Sequence, residues 1–163
     1  MENVIRIAGV VKESIVDGPG IRFTVFAQGC KHNCPGCHNP HTHDFEGGSF
    51  IEVEEILSQM KANPLLDGIT LSGGEPFEQA EAMGILAQEA KILGYNVMTY
   101  TGYTFEYILQ NKDKKTGWDK LLSHTDTLVD GKFELQKRNL LLRFRGSENQ
   151  RIINVKNYLA TSN

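Results

Sequence analysis

The chain has 163 residues, which fits one domain of ordinary size, residues 1–163, with enough length for a real core. Its formal net charge is -3, with 17 Lys and Arg residues spread widely, so no basic footprint for nucleic acid is expected. There is no 18-residue apolar run, so no membrane span is expected. "MENVIRIAGV" has an acid at position 2 and no basic stretch, so it does not read as a signal peptide and a cytoplasmic location is the default.

In chain order, "VIRIAGVVKESIV" alternates apolar residues and predicts a short hairpin or an edge strand. "DGPG", Asp17 to Gly20, is a turn. "IRFTVFAQG" predicts a strand, and a cysteine-bearing loop follows directly. "SFIEVEEILSQM" predicts a helix capped by Ser49, with Ile51, Ile56, Leu57 and Met60 as its apolar stripe. "ITLSGG" predicts a short buried strand. "EPFEQAEAMGILAQEAKILG" predicts a longer helix, with Gly94 at its C-terminal cap. "YNVMTYTG" and "DTLVDG" predict two further strands, separated by the weaker helices "YTFEYILQNK" and "WDKLLSHT". A polar excursion, "FELQKRNLLLRFRGSENQ", leads to a last strand, "RIINV".

Strands that recur with helical crossovers predict an α/β domain with a mostly parallel sheet. About five core strands are too few for a closed eight-stranded barrel, and an open, curved partial barrel fits the length. Each strand runs into a loop with distinctive chemistry: "CKHNCPGC", "SGGEP", "TYTGY" and "VDGKFE". In such domains ligands gather at the carboxyl ends of the strands.

All three cysteines fall in one window, spaced Cys30-x3-Cys34-x2-Cys37. They are odd in number and crowded, unlike a secreted disulfide framework. A structural zinc site closes with four ligands, and His32, His38, His41 or His43 would supply the fourth. A disulfide with one spare thiol is weaker in a reducing compartment. A redox pair of Cys34 and Cys37 leaves Cys30 unexplained. A cubane iron-sulfur cluster wants four thiolates, so three would leave one iron open to a ligand. On spacing alone, cluster and zinc stand level.

The three-cysteine spacing is that of the radical S-adenosylmethionine enzymes. Within them the chain closely resembles the activating proteins of anaerobic ribonucleoside-triphosphate reductase. The resemblance is carried in order by "VDGPGIRFTVFAQGCKHNCPGCHNP", "GITLSGGEP", "TYTGYTFE", "LVDGKFE" and "RGSENQRII". It implies the partial (βα) barrel of the radical S-adenosylmethionine type. It also implies a [4Fe-4S] cluster on Cys30, Cys34 and Cys37, with S-adenosylmethionine on the open iron. The implied reaction is reductive cleavage of that cofactor, followed by hydrogen abstraction from a glycine of the reductase's large catalytic subunit. Reduced flavodoxin or ferredoxin is the implied electron donor, and a homodimer the implied assembly.

The same resemblance puts Gly73, Gly74 and Glu75 at the methionine amino group. It puts Gly36, Cys37 and His38 in the cofactor pocket, with the adenine met by backbone or by His38, and Asp130 toward the cofactor's carboxylate end. The local alternative for "SGGEP" is a strand-to-helix turn with Pro76 in the first helical turn, and for Asp130 an Asp-Gly turn. Arg22 would hold a carboxylate with both arms of its guanidinium, or form an ion pair at the sheet edge. Thr99 and Thr101 offer hydroxyls to the same region or serve strand propensity alone. "RGSENQR" has no assigned role. His41, His43 and His124 read as surface or loop residues. No side chain is assigned as acid or base, because hydrogen-atom abstraction needs none. Two other classes fit less of the text: a zinc-stabilised binding module, and a sister enzyme that activates another glycyl-radical protein or makes a deazaguanine precursor.

Overall fold

A computed structural model describes residues 3–30, 47–132, 145, 147 and 149–157. The described strands are β1 (Val4–Ser14), β2 (Arg22–Ala27), β3 (Ser49–Glu52), β4 (Gly68–Gly73), β5 (Asn96–Tyr100), β6 (Thr127–Asp130) and β7 (Arg151–Asn154). The helices are α1 (Val53–Lys61), α2 (Ala80–Ile92), α3 (Phe105–Asn111) and α4 (Trp118–Ser123), with a 3-10 turn at Pro76–Gln79 before α2.

The strands form one open sheet in the order β3-β1-β2-β4-β5-β6-β7. β2, β4, β5 and β6 are parallel. β1 and β3 on one side, and β7 on the other, pair antiparallel. The sheet is unclosed and of the partial (βα) barrel type, as expected. The parallel strands are covered on both faces, so β2 and β4 are buried almost without interruption. Val25, Ile69, Leu71 and Val97 from the strands meet Ile56, Met60, Met83, Leu86 and Leu121 from the helices in one core.

Two expectations shift. Ser49 does not cap a helix: Ser49–Glu52 pairs with β1 in the register Ile7↔Ser49 to Val4↔Glu52. α1 therefore starts at Val53 with Glu52 in the cap position, and Val53 joins Ile56, Leu57 and Met60 on its buried side. A strand partner distant in sequence overrides a local capping signal. The pairing also makes β1 an interior strand rather than an edge. The expected Gly94 cap is present: Gly94 has φ +92°, and its N–H donates to the Lys91 carbonyl at 3.0 Å.

Candidate active site

The carboxyl ends of β2, β4, β5 and β6 lie side by side, and the loops singled out in the sequence leave from that edge. β2 ends at Ala27 opposite Gly73. Three residues later comes Cys30, half-buried. The "SGGEP" turn is tied to this exit by two backbone bonds. The Gly74 N–H donates to the Ala27 carbonyl at 2.7 Å, and the Glu75 N–H to the Gly29 carbonyl at 2.8 Å.

That approach is why two glycines are needed. Gly73 has φ +92°, and a Cβ on it would sit 2.5 Å from the Ala27 nitrogen. A Cβ on Gly74 would sit 2.5 Å from the Gly29 carbonyl oxygen. Gly73→Ala is therefore expected to cost at least about 2 kcal/mol, since it combines a left-handed backbone with a clash against main chain that cannot swing away. Urea unfolding would measure it, and an unchanged midpoint would contradict the packing described here.

Glu75 is wholly buried. Its Oε2 accepts from the Thr101 hydroxyl at 2.9 Å and the Phe77 N–H at 3.1 Å, and its Oε1 accepts from the Gly102 N–H at 2.8 Å. One carboxylate thus joins the turn after β4 to the turn after β5. Thr101 also accepts from the Tyr103 N–H at 3.1 Å. Thr99 faces elsewhere, sharing a hydrogen bond of 2.8 Å with Thr125 inside the core.

Asp130, at the end of β6, is also buried. Its Oδ2 accepts from the Phe105 N–H at 2.7 Å, at the start of α3, where an acid complements the exposed amides. Its Oδ1 accepts from Arg151 Nε at 3.0 Å, and Arg151 Nη2 bonds its Oδ2. The same Nη2 reaches Glu106 Oε2 at 2.6 Å. The hydrogen bond to Arg151 holds the Glu106 carboxyl below its ordinary range. Asp130 and then Glu106 push Arg151 above its ordinary value. The β6–β7 register, Asp130↔Arg151, brings the pair together.

The "RGSENQR" segment now has a local role. Gln150 Nε2 donates to the Gly131 carbonyl at 3.1 Å, and Asn149 Nδ2 to the Lys132 carbonyl at 2.8 Å. Arg145 donates to the Gln150 carbonyl at 2.7 Å. The segment clasps the turn that follows Asp130. A cavity of about 720 Å³ opens beside it, lined among others by Gly102, Tyr103, Tyr107, Asp130, Gly131 and Arg151. Tyr103 and Tyr107 stack at 5.2 Å on its wall. Burial and a 2.5 Å hydrogen bond to Glu78 push the Tyr103 ionisation well above the usual phenol range, so it stays a donor.

Arg22 stands at the other end of the sheet, where β2, β4 and β5 begin in the register Arg22↔Gly68↔Asn96. It is buried and grips Thr70, Ile69, Pro19 and Asn96. The structure gives it a fold-holding place rather than either sequence alternative. His124 is half-buried at the end of α4, and its ring bonds the Lys120 carbonyl at 2.8 Å.

Cys34, Gly36, Cys37 and His38 lie outside the described residues, as do His32, His41 and His43. Among the described residues no three Cys, His, Asp or Glu side chains converge on a metal site. Cys30 has the position and chemistry to supply one thiolate of an iron-sulfur centre: it sits at the ligand edge, bracketed by the bond from Glu75 to Gly29. Two contributors escaped the sequence reading. Arg151 lay in a motif that was noticed, but its partner is set by strand register. Gln79, whose amide bonds the backbone of β1, left no signal, because a Gln among helix formers reads as surface.

The family described as a 4Fe-4S single cluster domain matches residues 16–153. The chain thus carries a domain of the 4Fe-4S iron-sulfur class. Anaerobic ribonucleoside-triphosphate reductase-activating proteins are similar over most of their length. That of Enterobacteria phage T4 is 33% identical over 84% of this chain and 86% of its own. That of Vibrio cholerae is 32% identical over 83% and 89%, and that of Pasteurella multocida 33% over 88% and 94%. The chain belongs to the family of anaerobic ribonucleoside-triphosphate reductase-activating proteins. A crystal structure of QueE from Escherichia coli overlaps 62% of this chain and 53% of its own at a TM-score of 0.45 and 16% identity, too partial to bear on function. Among the described residues no helix is long and apolar enough to cross a membrane.

Proposed function

We propose that this chain is the radical S-adenosylmethionine activase of an anaerobic ribonucleoside-triphosphate reductase, and that Cys30, Cys34 and Cys37 hold its [4Fe-4S] cluster. The observation that carries the reading is the joining of Cys30's strand exit to the "SGGEP" turn, through the 2.8 Å bond from the Glu75 N–H to the Gly29 carbonyl. A cysteine and a glycine turn thereby share one edge in a chain of this family. When bound, a reduced cluster with S-adenosylmethionine supplies reductive cleavage of the sulfonium and the hydrogen-atom abstraction that leaves a glycyl radical on the partner.

The protein's own part is placement. Gly73 and Gly74 let the cofactor turn close on the cluster strand, so that both halves of the site share one frame. Glu75 fixes the "SGGEP" turn to the "TYTGY" turn beside the methionine amino group. Asp130, anchored by Arg151, would border the cofactor's carboxylate end, and Gly36, Cys37 and His38 would line its pocket on the adenine side. The cavity beside Asp130 leaves the edge open for a peptide segment of the reductase. Such openness suits a reaction in which the target must already be in place, since a reactive radical attacks whatever lies nearest. The electron donor is a reduced flavodoxin or ferredoxin, the setting cytoplasmic and the activase a homodimer.

Anaerobic reconstitution tests the reading. The protein is expected to take up iron and sulfide and to cleave S-adenosylmethionine with a strong reductant. With the reductase large subunit it is expected to yield a glycyl radical by electron paramagnetic resonance, absent when the target glycine is replaced. Cys30→Ala is expected to lose the cluster and cleavage together. Zinc alone in anaerobically prepared protein would overturn the cluster assignment. Cleavage without a glycyl radical would overturn the partner.

A further inference from the structure

The segment that carries the cysteines follows Gln28, and the described chain resumes at Gly47; the side chains of Gln79 and Arg6 together tie these two ends to the "SGGEP" turn. Gln79 closes the 3-10 turn that begins at Pro76, four residues after Glu75. Its Oε1 accepts from the Arg6 N–H at 2.8 Å. Its Nε2 donates to the Arg6 carbonyl at 2.8 Å and to the Gln28 carbonyl at 3.2 Å. The Arg6 carbonyl also accepts from the Gln28 N–H at 3.0 Å. The amide therefore completes the β1 ladder at the point where β2 breaks away toward Cys30.

Arg6 carries the tie onward. Its Nη1 donates to the Gly47 carbonyl at 3.0 Å, and its guanidinium lies 4.6 Å from the centre of the Phe50 ring. Gly48 packs so closely that a Cβ on it would meet the Ile7 carbonyl oxygen at 2.3 Å and Gln28 Cβ at 3.0 Å. Turn, strand exit and loop return thus share one hydrogen-bonded collar with the Gln79 amide at its centre.

We infer that Gln79 is a positioning residue that sets the cluster loop and the methionine-binding turn in register, without touching either ligand. This rests on the functional reading above. The physical reason is that S-adenosylmethionine would have to meet the cluster and the "SGGEP" turn at once, so slack between the two weakens both contacts. Outer contacts that orient a metal site typically matter by 10- to 100-fold.

The test compares reconstituted wild type with Gln79→Leu and Gln79→Glu. The readouts are iron per chain, the S-adenosylmethionine dissociation constant, and the change that S-adenosylmethionine causes in the spectrum of the reduced cluster. The melting temperature of the metal-free protein controls for general damage. Q79L is expected to bind the cofactor at least about tenfold more weakly and to lose most of the spectral change. In Q79E the protonated acid repeats the accept-and-donate pattern toward Arg6, whereas the ionised carboxylate would face two carbonyls. Burial beside two carbonyls raises the acid above its ordinary range, so Q79E is expected to bind more tightly toward pH 6 than toward pH 9, even where Q79L fails to fold. Wild-type binding and an unchanged spectral response in Q79L overturn the inference. So does wild-type behaviour of Q79E throughout that pH range when Q79L gives no folded protein. Absence of any cofactor response in wild type would instead overturn the functional reading itself.

Discussion

Glu75→Ala is expected to lower the unfolding free energy by about 3 kcal/mol and to abolish S-adenosylmethionine binding in the protein that remains folded. The carboxylate serves at least three donors from two different turns: the Thr101 hydroxyl and the N–H groups of Phe77 and Gly102. Alanine leaves them facing a buried void. Each orphaned buried donor costs about 1–3 kcal/mol, with partial relief where water enters. The turns after β4 and β5 would then be free to part, and the proposed cofactor edge is built from both.

Glu75→Gln separates shape from charge. Its amide has one acceptor oxygen where the carboxylate has two. If the Nε2 takes the Oε1 position, it faces the Gly102 N–H. If it takes the Oε2 position, it faces the Phe77 N–H, although the Thr101 hydroxyl can rotate to accept. Either orientation sets one donor against another, so E75Q is expected to lose about 1–3 kcal/mol despite its matching size. Equilibrium unfolding of the metal-free protein checks both variants without any contribution from a cluster. Wild-type stability in E75Q would mean that the carboxylate is not the joint between these turns.

The strands that build the site were legible because a buried parallel strand leaves an apolar run ended by glycines, as in "ITLSGG". The glycine turns were legible for the same reason: close backbone-backbone contacts restrict residue type sharply. What stayed hidden depends on pairing across distance. Ser49 looked like a cap because capping is local, whereas its pairing with Ile7 reaches back more than forty positions. Asp130 looked like a turn residue or a cofactor contact. The structure gives it an arginine twenty-one positions later, which only the β6–β7 register could reveal. Gln79 was illegible because nothing about an amide in a helical stretch says that it bonds a strand's backbone.

Arg22 shows how a motif residue can matter without entering the site, and Arg22→Met is expected to cost about 3 kcal/mol of stability while leaving cofactor affinity per folded molecule unchanged. Its Nε donates to Thr70 at 2.7 Å, and its Nη2 to the Ile69 carbonyl at 2.9 Å and Asn96 Oδ1 at 2.8 Å. Its Nη1 donates to the Pro19 carbonyl at 3.1 Å. Burial lowers the Arg22 pKa, so these acceptors offset the desolvation of its charge. The glycines of "DGPGIR" follow from that placement. A Cβ on Gly18 would meet Arg22 Cδ at 2.7 Å, and one on Gly20 would meet Asp67 Oδ2 at 2.4 Å. Asp67 in turn accepts from the Ile21 N–H at 2.8 Å and pins the entry to β2. Methionine fills much of the same space but donates nothing, leaving the Thr70 hydroxyl, Asn96 Oδ1 and the Pro19, Ile69 and Asn96 carbonyls to find other partners. All of this happens at the amino ends of the strands, with the proposed cofactor edge at their carboxyl ends. A lowered urea midpoint together with a wild-type spectral response to S-adenosylmethionine is the expected pair of results. Loss of that response in fully folded R22M would return Arg22 to the ligand side of the sheet and break the separation of the two ends.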